Sequence, residues 1–544
     1  MNKSLLLTLA ATLAGCAQLP RPQPGVAFDG AGYPVEVCDA AYAGRAARCE
    51  LSGSGTAQRF KGMVLSDGKL LVGGEIRIEA DGRISAVACR VPTEQAVSID
   101  CPGAVISAGF INLHEHIDYS YQQPPQAPTL RWDHRHQWRQ LAASARGFEG
   151  DAPKDETVRT EVSERAMLRH LLGGTTALSG AKDYRAFTRN LKLADGALGV
   201  PAGLPVIDNT FPLNDGRTYA TPTAPCNAEQ AGAVKFNPAN PFVPHVGEGV
   251  NPGARFEVDC LLDALQSKTT PNAFIHGVAI SEAQIERLKQ QNVAVVLSPR
   301  SNLELYGATA PIPALRRAGV TLALGTDWSP SGSLSMFDEM RCMARYNQQN
   351  LNGLLSWADI HRMATAGGAD AVGLKGRIGR LLPGENADLV LIDSQGANSL
   401  ARVLEGAALR ETLAVFIGGR AAMFPTDWDS RLTAKQERCE TDPRQLCGQS
   451  RVVCGANPQR PLARLLAQAT YSIDDARLCR PAPTDDCVPQ RPGQYDGQPR
   501  PDDRDGDGVK DAEDNCPALF NPPRPDENGR QPTMQGVAGC QTRG

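Results

Sequence analysis

An alternation of β-rich runs and helical stretches between residues 108 and 376 constrains the fold of this chain more than any other feature. Its clearest β-rich runs are 273–275, 293–297 and 320–324, and a stretch of helical character follows each of them. The stretch 281–291, for example, begins with a serine N-cap. Such alternation favours a parallel α/β architecture. About 270 residues of this kind suit a (β/α)8 TIM-type barrel.

Shorter β-type runs, separated by Asp-Gly and Gly-Gly turns, lie on both sides of this region. On the N-terminal side they occupy 70–72, 75–78 and 84–88, which predicts a small antiparallel sheet. On the C-terminal side they return at 384–393 and 413–419. Because the two ends of a barrel lie close together, we expect both flanks to join in one composite β-sandwich.

The N-terminal residues predict export. Lys3 provides a positive charge, 5–13 form an apolar run, and Leu-Ala-Gly-Cys ends at Cys16. About ten apolar residues are too few to span a bilayer, which takes roughly 20, so this segment is interpreted as a signal peptide. Its ending resembles a bacterial lipobox, which implies lipidation of Cys16, and Ala17 then favours the outer membrane. Ordinary signal cleavage nearby is the alternative. We therefore expect a lipid-anchored protein on the periplasmic or cell-surface face of a bacterial membrane.

The cysteines agree with export. The chain has 15, and removal of Cys16 leaves an even number. Many lie near one another, so disulfides between neighbours are expected, although sequence leaves their connectivity open. No C-x2-C pair is present, which disfavours cysteine-bound zinc. From about residue 430 the chain is rich in Cys, Pro and Asp with little periodicity, which predicts an irregular C-terminal tail.

Together these patterns predict six parts along the chain. They are a lipoprotein signal peptide (1–16), a tether with a small cysteine-containing segment (17–55), the composite β-sandwich (56–107 plus 377–425), the barrel (108–376), a cysteine-rich extension (426–500) and a C-terminal tail (501–544).

The overall charge excludes one class of partner. The formal net charge of -4 over 544 residues is nearly balanced. A balanced charge gives no sign of the excess of positive charge that binds nucleic acid, and none of the excess that binds an anionic membrane surface. We expect no nucleic-acid partner, and the sequence does not indicate an oligomeric state.

A pair of histidines closes an apolar run at 109–116, which reads Gly-Phe-Ile-Asn-Leu-His-Glu-His. Side chains two residues apart in a strand face the same side. His114 and His116 therefore present two imidazoles as half of a metal site.

Three further residues follow candidate strands in the same way. His245, His276 and Asp327 each lie at or just beyond the C-terminal end of an apolar run, where barrel enzymes hold their active sites. One βα repeat separates His245 from His276, and two separate His276 from Asp327. Counting back from strand 8 places them on strands 5, 6 and 8. The pair His114 and His116 then falls on strand 1, beside strand 8 in a closed barrel, so all five side chains are predicted to converge.

These residues resemble the amidohydrolase superfamily, specifically its chlorohydrolase and cytosine-deaminase-like branch, over residues 60 to 425. Any one motif is weak, but all six occur in the order typical of the family. They are His114-x-His116, His245-x-x-Glu248, the isolated His276, Ser298-Pro-Arg-Ser-Asn302-Leu-Glu-Leu, Gly325-Thr-Asp327-Trp, and the segment 379–391 that reads Gly-Arg-Leu-Leu-Pro-Gly-Glu-Asn-Ala-Asp-Leu-Val-Leu.

The resemblance implies a role for each residue. One divalent transition metal would bind to His114, His116 and His245, with Asp327 as an additional ligand. Such a metal lowers the pKa of bound water from 15.7 towards ~7. Asp327 would accept the proton of the water, and His276 would orient the nucleophile.

Glu248 would serve as the general acid that protonates the ring or leaving nitrogen. Zinc is favoured as the metal, and iron is the alternative, because imidazole suits both. Relatives with two metals use a lysine on strand 4. The candidate here, Lys235, lies only ten residues before His245, too close for a crossover of a dozen or more residues. A mononuclear site is therefore favoured.

The segment 131–138 holds two more histidines in the loop after strand 1. His134 and His136 are candidates for substrate binding, and a solvated polar turn is the alternative. Asn302 of the Ser-Pro-Arg-Ser-Asn motif is a third candidate for substrate contact.

A second cation motif lies near the C-terminus, in Asp503-Arg-Asp-Gly-Asp-Gly-Val-Lys-Asp-Ala-Glu-Asp514-Asn-Cys-Pro. Acidic oxygens at positions 1, 3, 5, 9 and 12 of such a loop suit a hard cation, and a backbone carbonyl supplies position 7. The motif resembles a thrombospondin type 3 calcium repeat, with an acidic disordered tail as the alternative. The predicted ligands are Asp503, Asp505, Asp507, Val509, Asp511 and Asp514.

The resemblance thus implies a hydrolase of a C–N bond other than a peptide bond, acting by deamination or by hydrolysis of a cyclic amide or amidine in a small heterocyclic substrate. The same residues would also suit hydrolytic dechlorination or imidazolone-type ring opening. An interpretation from another class is an inactive surface-binding lipoprotein with the calcium tail as its working part. The intact set of ligands, acid and base favours the enzyme.

Overall fold

The computed structural model describes residues 28–66, 68–122, 131–139, 152–193, 211–213, 234, 236–266, 268–428, 432, 438–467, 476–484 and 486–523. The predicted lipidation site Cys16 and the candidate lysine Lys235 lie outside them. Across these residues, none of the helices combines the length and the apolar character that a membrane crossing requires.

The strands are β1 (Val35–Val37), β2 (Glu50–Gly53), β3 (Ala57–Ser66), β4 (Lys69–Ile78), β5 (Ile84–Ala88), β6 (Ala96–Ala108), β7 (Phe110–Asn112), β8 (Thr175–Leu178), β9 (Arg189–Asn190), β10 (His245–Val246), β11 (Asn272–His276), β12 (Val293–Leu297), β13 (Leu322–Leu324), β14 (Leu389–Asp393), β15 (Thr412–Ile417), β16 (Arg420–Pro425), β17 (Cys439–Thr441) and β18 (Arg451–Cys454). The α-helices are α1 (Arg135–Arg139), α2 (Glu156–Leu172), α3 (Pro252–Ala264), α4 (Glu282–Gln290), α5 (Pro299–Tyr306), α6 (Ile312–Arg317), α7 (Met336–Asn350), α8 (Trp357–Met363), α9 (Ala366–Ala371), α10 (Leu400–Gly406), α11 (Leu462–Ala467) and α12 (Ala476–Cys479).

Two parallel sheets form the α/β region, as the alternating pattern predicts. One has the order β7-β8-β9 and the other the order β10-β11-β12-β13. All ten residues of β11 and β12 are buried, which explains why these strands are continuous apolar runs without alternation. Helix α4 connects them and starts after Ser281, whose backbone N–H donates to Gln284 Oε1 at 2.9 Å.

The two sheets approach each other at one side. The backbone N–H of Leu113 donates to the carbonyl of Leu324 at 3.4 Å, and that of Asp327 donates to the carbonyl of His114 at 2.8 Å. The end of β13 therefore lies beside the end of β7, as expected for strands 8 and 1 of a barrel. Between β9 and β10 the structure describes only parts of the chain, and its described strands do not form the closed barrel that we predicted.

A third, eleven-stranded sheet joins both flanks of the α/β region. Residues 104–108 of β6 pair antiparallel with 389–393 of β14. Its face towards a separate apolar core includes Phe60 and Phe416, whose rings lie 4.9 Å apart. The prediction of an antiparallel N-terminal sheet is wrong in one respect, because β3 and β6 are parallel. After β5 the chain crosses to the free edge of β3, and β6 runs there in the same direction.

The cysteine-rich extension is more regular than we predicted. Strands β17 and β18 pair with each other, and β18 adds to β16 at the end of the eleven-stranded sheet. The prediction of a wholly irregular tail is wrong here because these strands are too short to show a period in the sequence.

Five disulfides are described, and four of them join cysteines 15 to 52 residues apart; the two N-terminal ones link 17–55 to the first strands of the sandwich and do not join the nearest cysteines in sequence. The fifth, Cys342–Cys487, instead ties helix α7 of the α/β region to the extension, across 145 residues of sequence. The others are Cys38–Cys89, Cys49–Cys101, Cys439–Cys454 and Cys447–Cys479.

Candidate metal centre

Three imidazole nitrogens converge at the C-terminal ends of β7 and β10. His114 Nε2 lies 3.3 Å from His116 Nε2 and 3.0 Å from His245 Nε2, and the last two atoms are 3.2 Å apart. A tetrahedral zinc ion with Zn–N bonds of roughly 2.0–2.1 Å requires ligand nitrogens about 3.3 Å apart. The three atoms therefore have the spacing of one face of a metal coordination polyhedron.

Asp327 adds a carboxylate to this group from the end of β13. Its Oδ1 lies 3.2 Å from His114 Nε2 and 3.6 Å from His116 Nε2. Asp327 has a φ of 59°, in the left-handed region that L residues rarely adopt. Such backbone strain persists when the surrounding structure holds it, and it is concentrated at functional sites.

Local side chains explain why the ends of β7 and β13 meet. Asn112 Oδ1 accepts the backbone N–H of His114 at 3.2 Å and that of Thr326 at 3.1 Å. Gly325 leaves the space for this approach, because a Cβ there would lie 2.4 Å from the Cβ of His114. Glu115, between the two histidines, faces the other way and lies 3.0 Å from His170 Nε2.

The protonation of the histidines fits a metal. Burial, together with the neighbouring imidazoles, holds the pKa values of His114 and His245 well below their usual range, so both rings are neutral. His114 Nδ1 lies 2.8 Å from Ser298 Oγ, a contact that directs the Nδ1 proton to the hydroxyl and leaves the Nε2 lone pair facing the other histidines. Converging lone pairs repel one another unless a cation lies between them. The donor set therefore fits a divalent transition metal.

His276 lies beside this group at the end of β11. Its Nδ1 is 2.7 Å from Asn302 Oδ1, while the amide nitrogen of Asn302 donates to Thr309 Oγ1 at 3.0 Å. This arrangement makes Asn302 the acceptor and places the ring proton on Nδ1. The free Nε2 of His276 then lies 3.6 Å from Glu248 Oε2 and 4.0 Å from Asp327 Oδ2.

Glu248 is 2% exposed and is held through one of its two oxygens. Tyr306 donates its hydroxyl to Glu248 Oε1 at 2.6 Å, and Trp138 Nε1 donates to the Tyr306 oxygen at 2.9 Å. Glu248 Oε2 has no hydrogen-bond partner among the residues described and faces His276. The structure thus brings together the residues predicted as ligands, acid and base, and it adds Tyr306, which no sequence pattern singles out.

The segment 131–139 packs beside Glu248, and both of its histidines are buried. His134 Nδ1 accepts the backbone N–H of His136 at 3.2 Å, and His134 Nε2 lies 3.2 Å from Glu257 Oε1. Arg135 donates two bonds of 2.6 Å to Glu257, and this ion pair outweighs burial and lowers the pKa of Glu257 to about 2. The alternative of a solvated polar turn is wrong. Contacts of His134, His136 and Asn302 with a substrate remain predictions.

Aromatic rings surround the metal centre. Trp138 stacks on Trp328 with ring centroids 5.3 Å apart, and Tyr119 lies edge-on to Trp328 at 6.0 Å. Phe211 lies 4.7 Å from the ring of His245. These aromatic rings pack close to the ligands and to Glu248.

The C-terminal acidic motif also forms a cluster. Asp503, Asp505 and Asp507 are buried with their carboxylates close together. Burial and mutual repulsion raise the pKa of Asp505 to about 8 and that of Asp507 to about 7. Asp505 Oδ2 has no hydrogen-bond partner among the described residues.

Two other residues of this motif differ in their surroundings. Burial, with repulsion from neighbouring carboxylates, also raises the pKa of Asp514. Asp511 lies apart from the cluster, because Arg504 donates to both of its carboxylate oxygens, at 3.0 and 2.6 Å.

Comparison with known proteins gives a match to a family model over part of the chain. Residues 253–422 match the model of the amidohydrolase family. A 5-methylthioadenosine/S-adenosylhomocysteine deaminase of Syntrophobacter fumaroxidans is 43% identical over 121 residues, which are 22% of this chain and 28% of that relative. The protein of the same name from Thermococcus onnurineus is 25% identical over 350 residues, 59% of this chain and 82% of that relative. The chain therefore spans less than a third of the first of these relatives and most of the second.

A solved structure shows the same fold over a longer stretch. It is an atrazine chlorohydrolase of Arthrobacter aurescens complexed with zinc, with a TM-score of 0.51 and 17% identity over 67% of this chain and 94% of that chain. The stretch that matches the amidohydrolase family model, residues 253–422, includes His276, helix α5 and Asp327 and lies within a mixed α/β fold.

Proposed function

We propose that the protein is a metal-dependent hydrolase of a C–N bond other than a peptide bond in a small heterocyclic substrate. The proposal rests on one observation, the convergence of three buried imidazole nitrogens at 3.0–3.3 Å with a carboxylate, beside Glu248 and His276. Zinc, with iron as the alternative, supplies Lewis acidity and a lowered water pKa when His114, His116 and His245 hold it.

Asp327 is the proposed base. Burial raises the pKa of its carboxyl, which suits a group that takes up a proton from water and releases it later. Ser301 donates to Asp327 Oδ2 at 2.6 Å and the backbone N–H of Trp328 donates to Oδ1 at 2.7 Å, so both oxygens are held in place. His276 orients the attacking water through its free Nε2.

Glu248 is the proposed acid. Because Tyr306 donates to Oε1, that oxygen is an acceptor, and Oε2 is the oxygen from which Glu248 would donate. Oε2 faces the same space as His276 Nε2, 3.6 Å away. A substrate nitrogen in that space would receive its proton from Oε2 as the C–N bond breaks.

The substrate class follows from the surface near these groups. The ring of Phe211 lies 4.7 Å from that of His245, and the ring of Tyr119 lies 6.2 Å from that of His116, so aromatic side chains lie beside two of the proposed ligands. Two sequence relatives are named 5-methylthioadenosine/S-adenosylhomocysteine deaminases. We therefore propose deamination of a purine-type ring as the first reaction to test.

The test is hydrolysis by purified, metal-counted protein, measured as ammonia release from purine nucleosides, aminopyrimidines and aminotriazines and as ring opening of hydantoins. Glu248→Gln is the matched control, because it keeps the ligands and removes the acid. Turnover by the native protein and its loss in the control would support the proposal. A protein that binds no transition metal and hydrolyses none of these compounds would contradict it and favour a binding protein instead.

We also propose that residues 503–514 bind calcium with a structural role. The buried carboxylates of Asp503, Asp505 and Asp507, with the unpartnered Asp505 Oδ2, support this proposal. Calorimetric titration of the chelated protein with calcium is the measurement. Asp505→Asn should weaken binding at least tenfold, and an unchanged affinity would contradict the proposal.

We propose, finally, that lipid at Cys16 anchors the exported protein to a bacterial membrane. The Leu-Ala-Gly-Cys segment supports this. Metabolic labelling with palmitate should mark the native chain and not Cys16→Ser. Equal labelling of both would contradict it.

A further inference from the structure

Helix α5 and the serine before it contact four functional groups of the metal centre. Ser298 contacts His114, and Ser301 contacts Asp327. Asn302 accepts from His276, and Tyr306 donates to Glu248. These four contacts are 2.6–2.8 Å long. One short helix therefore sets the relative positions of a ligand, the base, the orienting histidine and the acid.

A helix of this length does not hold its own position. It has eight residues, and isolated helices shorter than about 12–15 residues are marginal in water. Its placement must come from packing and from contacts at its two ends. Both ends are contacted by the cysteine-rich extension.

Arg491 of the extension holds the C-terminal end of α5. This arginine is 8% exposed, and its Nη1 donates to the backbone carbonyl of Tyr306 at 2.8 Å and to that of Trp132 at 3.0 Å. Its Nη2 donates to Asp133 Oδ1 at 2.5 Å. The carbonyl of Tyr306 is one of the four at a helix C-terminus that lack an intrahelical donor, and a cation is favourable there.

The extension also holds the N-terminal end of α5. Asp486 forms an ion pair with Arg300, the second residue of the helix. Arg300 Nη2 donates to the carbonyl of Pro483 at 3.3 Å, and Arg300 Nε donates to Ser333 Oγ at 2.8 Å. A carboxylate is favourable at this end of a helix.

Cys487, which forms the disulfide with Cys342, lies in sequence between Asp486 and Arg491. It fixes the extension to helix α7, whose Asn350 donates to the carbonyls of Gly497 at 3.0 Å and Asp505 at 2.8 Å. The fit beside Gly307 is close, because a Cβ there would lie 2.2 Å from the carbonyl oxygen of Gln490. The extension is thus anchored independently of the helix that it holds.

We propose that residues 486–491 form a clamp on helix α5, and that Arg491 and Asp486 are positioning residues of the metal centre. The inference rests on the proposed function for its effect on turnover, and it predicts a structural effect that does not. Displacement of reacting groups by about 1 Å costs as much as 100-fold in rate. The extension is therefore a working part of the hydrolase and not an appended segment.

The test compares Arg491→Met with Arg480→Met in the full, metal-loaded chain. Arg480 belongs to the same extension and is exposed, so its loss should change nothing. Arg491→Met should lower kcat by about 10- to 100-fold at unchanged metal content. Deuterium exchange of the amides of residues 302–307 should become about tenfold faster, because their hydrogen bonds open more often. Asp486→Asn should act in the same direction.

Deuterium exchange tests the clamp independently of the proposed function, because it does not depend on turnover. Faster exchange confined to 302–307, in a protein whose native form hydrolyses nothing, would support the clamp and contradict the proposed function. Native exchange and native kcat in Arg491→Met would overturn the clamp. Loss of protection in helix α3 as well would also overturn it, since the extension would then support the whole fold and not this helix.

Discussion

The two candidate cation sites are built in opposite ways. At the metal centre, three imidazoles lie at or near the ends of parallel strands, those of His114 and His245 are neutral, and Ser298 fixes the tautomer of His114. In the loop 503–514, the donors are like-charged carboxylates on irregular backbone, and Asp505 and Asp507 have raised pKa values because they are buried together.

Because of this difference, the fold alone should set the geometry of the metal centre, whereas the loop 503–514 should need its ion to keep its geometry. Imidazole lone pairs held on strands repel one another less than adjacent like charges do, so the first geometry should persist without metal. Adjacent buried carboxylates repel one another, so the second should be stable only when protons or a cation neutralise them. The first cation would then serve chemistry, and the second would serve stability.

The largest expected effect is that of His245→Ala. The variant should retain almost no transition metal and lose turnover by about 10⁴-fold, because hydroxide at neutral pH depends on the metal. Its circular dichroism should stay native, since the strands make the site. Elemental analysis measures the transition-metal content of both His245→Ala and the control Asp505→Asn, and the control should keep its full equivalent. A full equivalent of metal in His245→Ala would show that His245 is not a required ligand and would contradict this account of the metal centre.

Glu248→Gln should have the next largest effect. Loss of the acid should lower turnover by about 10²- to 10⁴-fold, while the metal stays bound because Glu248 is not a ligand. Steady-state kinetics with metal analysis measures both. Normal turnover in this variant would show that another group donates the proton.

The strand ends of the metal centre could be predicted because they follow a local rule. β11 and β13 are short buried strands, and a polar residue at or just beyond the end of such a strand lies at the edge where parallel strands meet. His276 and Asp327 were found in this way, and the structure places both beside the histidine group.

The contacts that support the site could not be predicted, because each joins distant parts of the chain. Tyr306 and Glu248 are 58 residues apart, and Ser301 and Asp327 are 26 apart. A single hydroxyl in a helix gives no pattern that identifies such a partner. The disulfide Cys342–Cys487, across 145 residues, is hidden for the same reason.

Ser298→Ala should have a moderate effect that sharpens the contrast. Without the hydroxyl, the Nδ1 proton of His114 loses its acceptor and the ring is less firmly oriented. Loss of such a partner costs about 10- to 100-fold in metal affinity. Competition with a chromophoric chelator measures it. An unchanged affinity would mean that the strands alone orient His114.

The smallest expected effect is a pH dependence of stability that calcium removes. Folding raises the pKa of Asp505 to about 8 and that of Asp507 to about 7, from an ordinary value of 3.8. In chelator, the stability that they contribute is complete below pH 3.8 and is lost as the pH rises through 7 to 8. The Tm should therefore fall between pH 5 and pH 8, and saturating calcium should restore about 2–5 °C at pH 8.

Asn at both positions removes the charges that cause this fall. The double variant should show neither the fall in chelator nor the response to calcium, whereas Ser298→Ala should keep both. Scanning calorimetry at pH 5 and pH 8 distinguishes the proteins. If the native Tm in chelator instead rose with pH and did not change with calcium, the loop 503–514 would be stable as a carboxylate cluster without an ion. The proposed difference between the two sites would then be wrong for this loop.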